Sequence, residues 1–325
     1  MPSRIGIDLM GGDHAPAEVV LGIRRYLDNT PEPAHLHLLG DETQGKPLLE
    51  QYSIPADAHT WHSTQEVIGM HEHPTRALKE KPRSSIAKGF QLLAAGEIDA
   101  FLSAGNTGAM LVGTLFSIQA LEGVIRPTMG TVMPKIGGGT GLILDVGLNA
   151  DCKPEQLNQF AVMGAVYARH MLGIEHPKVG LLNVGEEEGK GNLLAQASYP
   201  LLKQNTSIEF VGNIEGRDLM RDKADVMVCE GFTGNIVLKM AESLYDMAQQ
   251  TGIDHPFLNR FHFEHYGGTP VLGVRKPVIV GHGISGALAF SNMIRLAEQM
   301  LKTDILGKMV AEIARMNKIS PSEIR

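Results

Sequence analysis

Four short polar segments carry residue types from which a site for chemistry can be built. They are Ser103-Ala-Gly-Asn-Thr-Gly-Ala109, Gly185-Glu-Glu-Glu-Gly-Lys-Gly-Asn192, Glu230-Gly-Phe-Thr-Gly-Asn235 and Gly281-His-Gly-Ile-Ser-Gly286. Each follows a short apolar run and precedes a helical period. Glycines there permit positive φ and let a ligand approach the backbone, and helix starts offer N–H groups to an anion. The chemistry this suits is the binding of phosphate or another small anion. None of the four is a Walker A sequence, and none has the G-x-G-x-x-G spacing, so ATP and NAD are not indicated.

The individual side chains leave alternatives open. Lys190 either pairs with the three glutamates before it or turns its ammonium to an anion, and Glu187, Gly189 and Gly191 share its loop. Asn235 and Asn106 are each an amide donor to a carbonyl or phosphate oxygen, or a helix cap. Ser103, Gly105, Thr107, Gly108 and Gly234 lie in the same loops and are candidates for substrate contact. Asp145 and Asn149 end an apolar run, where a carboxylate is expensive unless it is partnered or functional. Asp8, at the end of the first apolar run, invites the same argument. His282 is a general acid or base, or a hydrogen-bonding group at a strand end. Cys152 and Cys229 lack the context of a nucleophile and read as buried thiols, and the histidine pairs 35/37, 71/73 and 262/265 lack a third ligand. No metal and no cofactor is expected.

The elements that must position these groups alternate along the chain. Apolar runs at Arg4–Met10, His35–Gly40, Ala100–Ala104, Leu142–Val146, Lys178–Val184, Ile208–Gly212, Val226–Cys229 and Pro277–Val280 read as strands, most followed by helical periods. That pattern is α/β with a largely parallel sheet, whose strand ends would bring the four loops to one crevice. The clearest helix starts at Pro154, with Leu157, Phe160, Ala161, Gly164, Tyr167, Ala168 and Met171 on one stripe, which reads as core or subunit interface. Residues 1–301 read as one catalytic unit of one or two lobes, and residues 302–325 as a helical tail.

Two cysteines in 325 residues build no disulfide framework and fit a reducing cytoplasm. The first eleven residues, interrupted by Arg4 and Asp8, read as neither signal nor transit peptide. No apolar stretch has the length of a membrane span. A net charge of −7 with 5% aromatics argues against a nucleic-acid face. Against that balance runs a basic segment, with Arg76, Lys79, Lys81, Arg83 and Lys88 near a single acid, Glu80. It is a solvated face or a landing site for an acidic partner.

Taken in order, the motifs resemble one family, the phosphate acyltransferases (PlsX) of bacterial phospholipid synthesis. The resemblance rests on Asp8-Leu-Met-Gly-Gly-Asp13, Met70 to Ser85, Ser103-Ala-Gly-Asn-Thr-Gly108, Asp145-Val-Gly, Asp151-Cys-Lys-Pro154, Leu182-Asn-Val-Gly-Glu-Glu187, Gly212-Asn-Ile-Glu215, Glu230 to Asn235, Tyr266-Gly-Gly268 and His282-Gly283. It implies transfer of a fatty acyl group from acyl carrier protein to inorganic phosphate, and delivery of acyl phosphate to a membrane glycerol-3-phosphate acyltransferase. It also implies a homodimer and a Rossmann-like three-layer α/β/α sandwich akin to the phosphotransacetylases and the isocitrate and isopropylmalate dehydrogenases. The small acidic carrier gives Arg76, Lys79 and Arg83 a use as its docking site. Two departures are visible: residues 252–265 are shorter than the family's apolar and basic segment before Tyr-Gly-Gly, and Ile284-Ser285-Gly286 replaces the family's usual Ser and Asn. Lys190, Asn235, Asn106 and His282 are the expected catalytic set. The rival readings are an enzyme using acyl-coenzyme A and a noncatalytic anion-binding module.

Overall fold

The computed structural model describes residues 2–318, so residues 319–325 of the expected tail lie outside the described residues. Eleven strands are present among them. They are β1 (Arg4–Asp8), β2 (His35–Gly40), β3 (His59–Ser63), β4 (Ala100–Ser103), β5 (Thr128–Pro134), β6 (Thr140–Leu144), β7 (Lys178–Leu182), β8 (Glu209–Ile214), β9 (Val226–Val228), β10 (Thr269–Leu272) and β11 (Val278–Val280). The chain divides into two compact units, each discontinuous in sequence: residues 2–119 with Phe263–Lys302, and Ala120–His262 with the segment from Thr303. This differs from a continuous block ending at 301, because the chain leaves the first unit at Gln119 and returns to it at Phe263.

In the first unit the strands run β3-β2-β1-β4-β11-β10. All neighbouring pairs are parallel except β10 with β11. Ile5 through Asp8 of β1 and all four residues of β4 are buried, and since successive side chains point to opposite faces, these strands are covered on both. Helix Ala17–Asp28 packs on helix Ala287–Lys302. Gly22 allows this closeness, since a Cβ there would stand 2.5 Å from Phe290 Cβ.

In the second unit the order is β5-β6-β9-β7-β8, with β5 alone antiparallel to its neighbour. Helix Pro154–Met171 starts with proline at its first position, and the Lys153 N–H donates to Gln156 Oε1 at 2.8 Å. Its apolar stripe is core: Gly164 lies against Val226 and Leu144, and the outer turns meet helix Ile305–Lys318. Helices cover both faces of the sheet, giving the three-layer α/β/α arrangement. No helix among the described residues is long and apolar enough to cross a membrane.

Candidate active site

In the first unit, loops after β1, β4 and β11 meet at the carboxyl ends of their strands. The Gly281 N–H donates to the Ser103 carbonyl (2.8 Å) and the Asp13 N–H to the Gly283 carbonyl (2.7 Å). Asp8 is buried at the centre, accepting from Ser103 Oγ (2.7 Å) and the Met10 N–H (2.9 Å), while Ser103 Oγ accepts from the Gly105 N–H (2.9 Å). Burial raises the Asp8 carboxyl above its ordinary value, with the Ser85 and Ser103 hydroxyls and the Met10 and Gly11 N–H groups pulling the other way. Gly11 cannot be larger, because a Cβ there would stand 2.6 Å from Asp8 Oδ2.

Asn106 takes the capping role and not that of a free donor. Its Oδ1 accepts from the Ala109 N–H, and its Nδ2 donates to the carbonyls of Gly69, Met70 and Glu72 at 2.9 to 3.2 Å. Both amide hydrogens are thereby committed to holding the 69–72 loop onto helix Thr107–Gly113, so the expected oxyanion role is withdrawn. Thr107 is exposed on the first turn of that helix, and Gly108 lies against the Pro74 ring.

The His282 loop is likewise not an open anion cradle. Glu264 accepts the Gly286 N–H (2.6 Å) and Glu18 the Ala287 N–H (2.7 Å), so two carboxylates already occupy the start of helix Ala287–Lys302. The His282 ring lies tilted against Phe263, with centroids 5.1 Å apart, and its backbone carbonyl accepts the Ser285 hydroxyl.

In the second unit, the loop after β6 folds around Asp145. This carboxylate accepts the N–H groups of Gly147, Leu148 and Asn149 and the Asn149 side-chain amide, at 2.6 to 3.0 Å. Burial nonetheless raises its pKa, with these donors opposing the shift. Asn149, itself buried, also donates to the Pro127 carbonyl at 2.8 Å. Both groups are spent within the protein, so their part is to shape the loop. Helix Gly231–Gln250 starts against this loop, with the Gly231 N–H on the Asn149 carbonyl at 2.7 Å. A Cβ on Gly234 would overlap the Asp145 carbonyl oxygen, which restricts that position to glycine. Asn235 Nδ2 donates to the Val146 carbonyl at 3.1 Å, one contact for two hydrogens, and the residue is exposed.

Two of the three glutamates before Lys190, Glu186 and Glu188, are taken by other cations. Glu186 pairs with Lys223 at 2.8 Å and Arg217 at 3.8 Å, and Glu188 with Lys203 at 3.0 Å. The Glu187 carbonyl accepts from Asn213 and from the Lys190 N–H. Lys190 lays its stem over Gly185 and is exposed, and among the described residues its ammonium has no carboxylate within ion-pair distance. Gly189 is open to solvent, and Gly191, at φ +94°, leaves room for Asn183.

A groove of about 410 Å³ opens at this edge, lined by residues 150–152, 192–194, Glu230 and Phe232. Lys190 and Asn235 do not line it, but each stands a few residues from a segment that does. Sequence reasoning passed over Leu193, Leu194 and Phe232; their signal was apolar side chains set inside polar, glycine-rich helix starts. The four junctions thus form two groups, one in each unit.

Of the basic run, Arg76 pairs with Glu80 (2.9 Å) and Arg83 with Glu66 (3.6 Å), while Lys81 pairs with Glu72. Lys79 is exposed on helix Pro74–Glu80. Among the described residues no group of three or more His, Cys, Asp or Glu is arranged to hold a metal ion.

The family model described as fatty acid synthesis protein matches residues 3–254. A phosphate acyltransferase of Halothermothrix orenii is 41% identical over 330 residues, covering 95% of this chain and 98% of the relative. One of Aquifex aeolicus is 44% identical over 332 residues, covering 94% and 96%. Among solved structures, a phosphotransacetylase from Streptococcus pyogenes superposes with a TM-score of 0.65 at 17% identity, over 92% of this chain and 94% of that one. A branched-chain phosphotransacylase from Enterococcus faecalis gives 0.58 at 16% identity, over 92% and 99%. At such identities the structural likeness speaks for the fold alone.

Two outcomes follow from this geometry. Asp8 is ionised only at a burial penalty, so its contribution to stability is greatest below the ordinary carboxylate pKa and declines as pH rises through its higher folded value. The stability of Asp8→Asn relative to the parent should therefore rise with pH in urea titrations from pH 4 upward; a flat or falling difference contradicts it. Asn106→Ala removes a cap and leaves buried carbonyls bare, lowering stability by about 1–3 kcal/mol. Urea unfolding of that variant should show a lowered midpoint, and an unshifted one refutes the clamp.

Proposed function

Because the chain belongs to the phosphate acyltransferase family, we propose that it moves a fatty acyl group from the thioester of an acyl carrier protein to inorganic phosphate. Its products are an acyl phosphate and the free carrier thiol. The kinship over nearly the full length of both chains carries this reading, and the Lys190 ammonium, left unpaired by its neighbouring glutamates, supports it.

The chemistry needs little from the protein beyond placement. Hydrogen phosphate is a competent oxygen nucleophile, and a thiol of pKa about 8.5 is a fair leaving group. A phosphate oxygen attacks the thioester carbon, the carbonyl becomes an oxyanion, and the C–S bond breaks as the carbonyl re-forms. The proton lost by phosphate ends on the departing thiolate. Lys190 holds the phosphate by charge, with the Gly189 and Gly191 backbone beside it. Asn235 turns its second amide hydrogen toward the oxyanion while the first anchors it to Val146. Asp8, Ser103, Asp145 and Asn149 keep the strand-end loops in shape for this task.

The proposal extends to partners. The acidic carrier lands on Arg76, Lys79 and Arg83, and the enzyme works as a homodimer in the cytoplasm with peripheral contact to the membrane. Its acyl phosphate passes to a membrane glycerol-3-phosphate acyltransferase on the way to phosphatidic acid. The family resemblance supports each of these assignments.

Palmitoyl carrier protein with ³²P-labelled phosphate should give labelled acyl phosphate, and palmitoyl-coenzyme A should be the poorer donor. No labelled product from the carrier thioester refutes the proposal, and preference for coenzyme A replaces the donor. Lys190→Ala should raise KM for phosphate. Asn235→Ala should lower kcat by a hundred- to thousandfold, the loss of about 2.7–4 kcal/mol typical of one oxyanion donor. Near-parental rates in both variants dismiss this site. Glutamate at positions 76, 79 and 83 together should raise KM for the carrier-bound donor about tenfold at low ionic strength, with the gap closing in salt. An unchanged KM at low salt removes the landing site.

A further inference from the structure

The groove of the second unit is walled by residues 150–152 (Ala-Asp-Cys), by Asn192, Leu193 and Leu194, and by Glu230 and Phe232. Its volume of about 410 Å³ lies in the range of small-ligand sites. Its polar members are turned to other work. Asn192 Oδ1 accepts the Ala195 N–H, and Glu230 Oε1 accepts the Thr233 N–H and hydroxyl. The Cys152 thiol is pushed up to about 12, first by burial and then by the charges of Asp145 and Glu230, so it stays protonated and behaves as a small, weakly polar wall. Apart from the exposed carboxylate of Asp151, what remains facing outward is aliphatic and aromatic. Leu193 is 86% exposed and Phe232 64%, although both stand at helix starts beside a cavity, and clustered exposure of that kind marks a binding surface.

We infer that this groove receives the acyl chain of the substrate, and that Leu193, Leu194 and Phe232 set which chain lengths are accepted. The inference rests on the acyl transfer proposed above and names the part of that site which reads the lipid. Lys190 lies two residues before Asn192 and Asn235 three after Phe232, so the two groups proposed to act at the reacting end sit on the same segments that wall the groove. A fatty chain is the occupant that fits. Its methylenes gain from leaving water for these side chains and ask for no hydrogen bond, whereas an anionic group would meet Asp151 and Glu230.

The test compares kcat/KM for butyryl and palmitoyl carrier thioesters in the parent, in Leu193→Asp and in Phe232→Ala. Both positions are exposed, so folding should survive, as checked by thermal melting. The palmitoyl-to-butyryl ratio should fall about tenfold, and a fall of threefold or more in either variant supports the groove. A smaller fall in both, with acyl phosphate still formed, overturns the groove and leaves the acyl transfer standing. A parent that forms no acyl phosphate from either thioester removes both. Loss of a dimer in either variant by sedimentation assigns this face to a second copy of the chain and also overturns the inference.

Discussion

Each unit is organised around a buried carboxylate at the end of a strand. Asp8 closes β1 and Asp145 follows β6, and both take N–H groups from the residues that come next in the chain. Burying a carboxylate is unfavourable by several kcal/mol unless donors surround it, and the required donors are supplied by a backbone that has to turn tightly to reach. The turns are therefore a consequence of the charge. Glycines follow where the backbone comes close, as at Gly11 beside Asp8 and Gly234 against the Asp145 carbonyl.

The same logic decides which helix starts remain open to a ligand. Helix Ala287–Lys302 is closed by the carboxylates of Glu18 and Glu264. Helices Thr107–Gly113, Leu193–Gln204 and Gly231–Gln250 are each capped at their third residue, by Asn106, Asn192 and Glu230, and in the last two it is the first residues, with Leu193 and Phe232, that border the groove. The exposed Lys190 and the apolar residues Leu193 and Phe232 thus stand on neighbouring segments of the second unit. A reaction joining a phosphate to a fatty carbonyl asks for that combination.

Much of this was legible in the residues. The eight apolar runs became strands because buried parallel strands are written in Val, Ile and Leu. The three that were missed are written otherwise: β3 is His-Thr-Trp-His-Ser at the outer edge of its unit, β5 carries Gly130 and Pro134, and β10 contains Pro270. The fork at Asn106 was open in sequence because a cap and a ligand contact use the same carboxamide. Only the Gly69, Met70 and Glu72 carbonyls, more than thirty residues away, settle it. The closing of the His282 loop was invisible for the same reason, since Glu18 is 269 residues from the N–H it accepts. The pairing of Glu186 and Glu188 with Lys223 and Lys203 likewise depends on cations that only the fold brings near.

The discontinuity of the first unit bears on how the protein is made. Helix Ala17–Asp28 finds its packing partner in Ala287–Lys302, and β4 finds β11 only once Val278 has been added. On a ribosome moving at roughly 5–20 residues per second, the amino-terminal strands wait on the order of ten seconds or more for the polypeptide that completes them. Throughout that interval the face of helix Ala17–Asp28 around Gly22, which meets Phe290 in the finished fold, lacks its native partner and is a surface for chaperones that shield emerging helices.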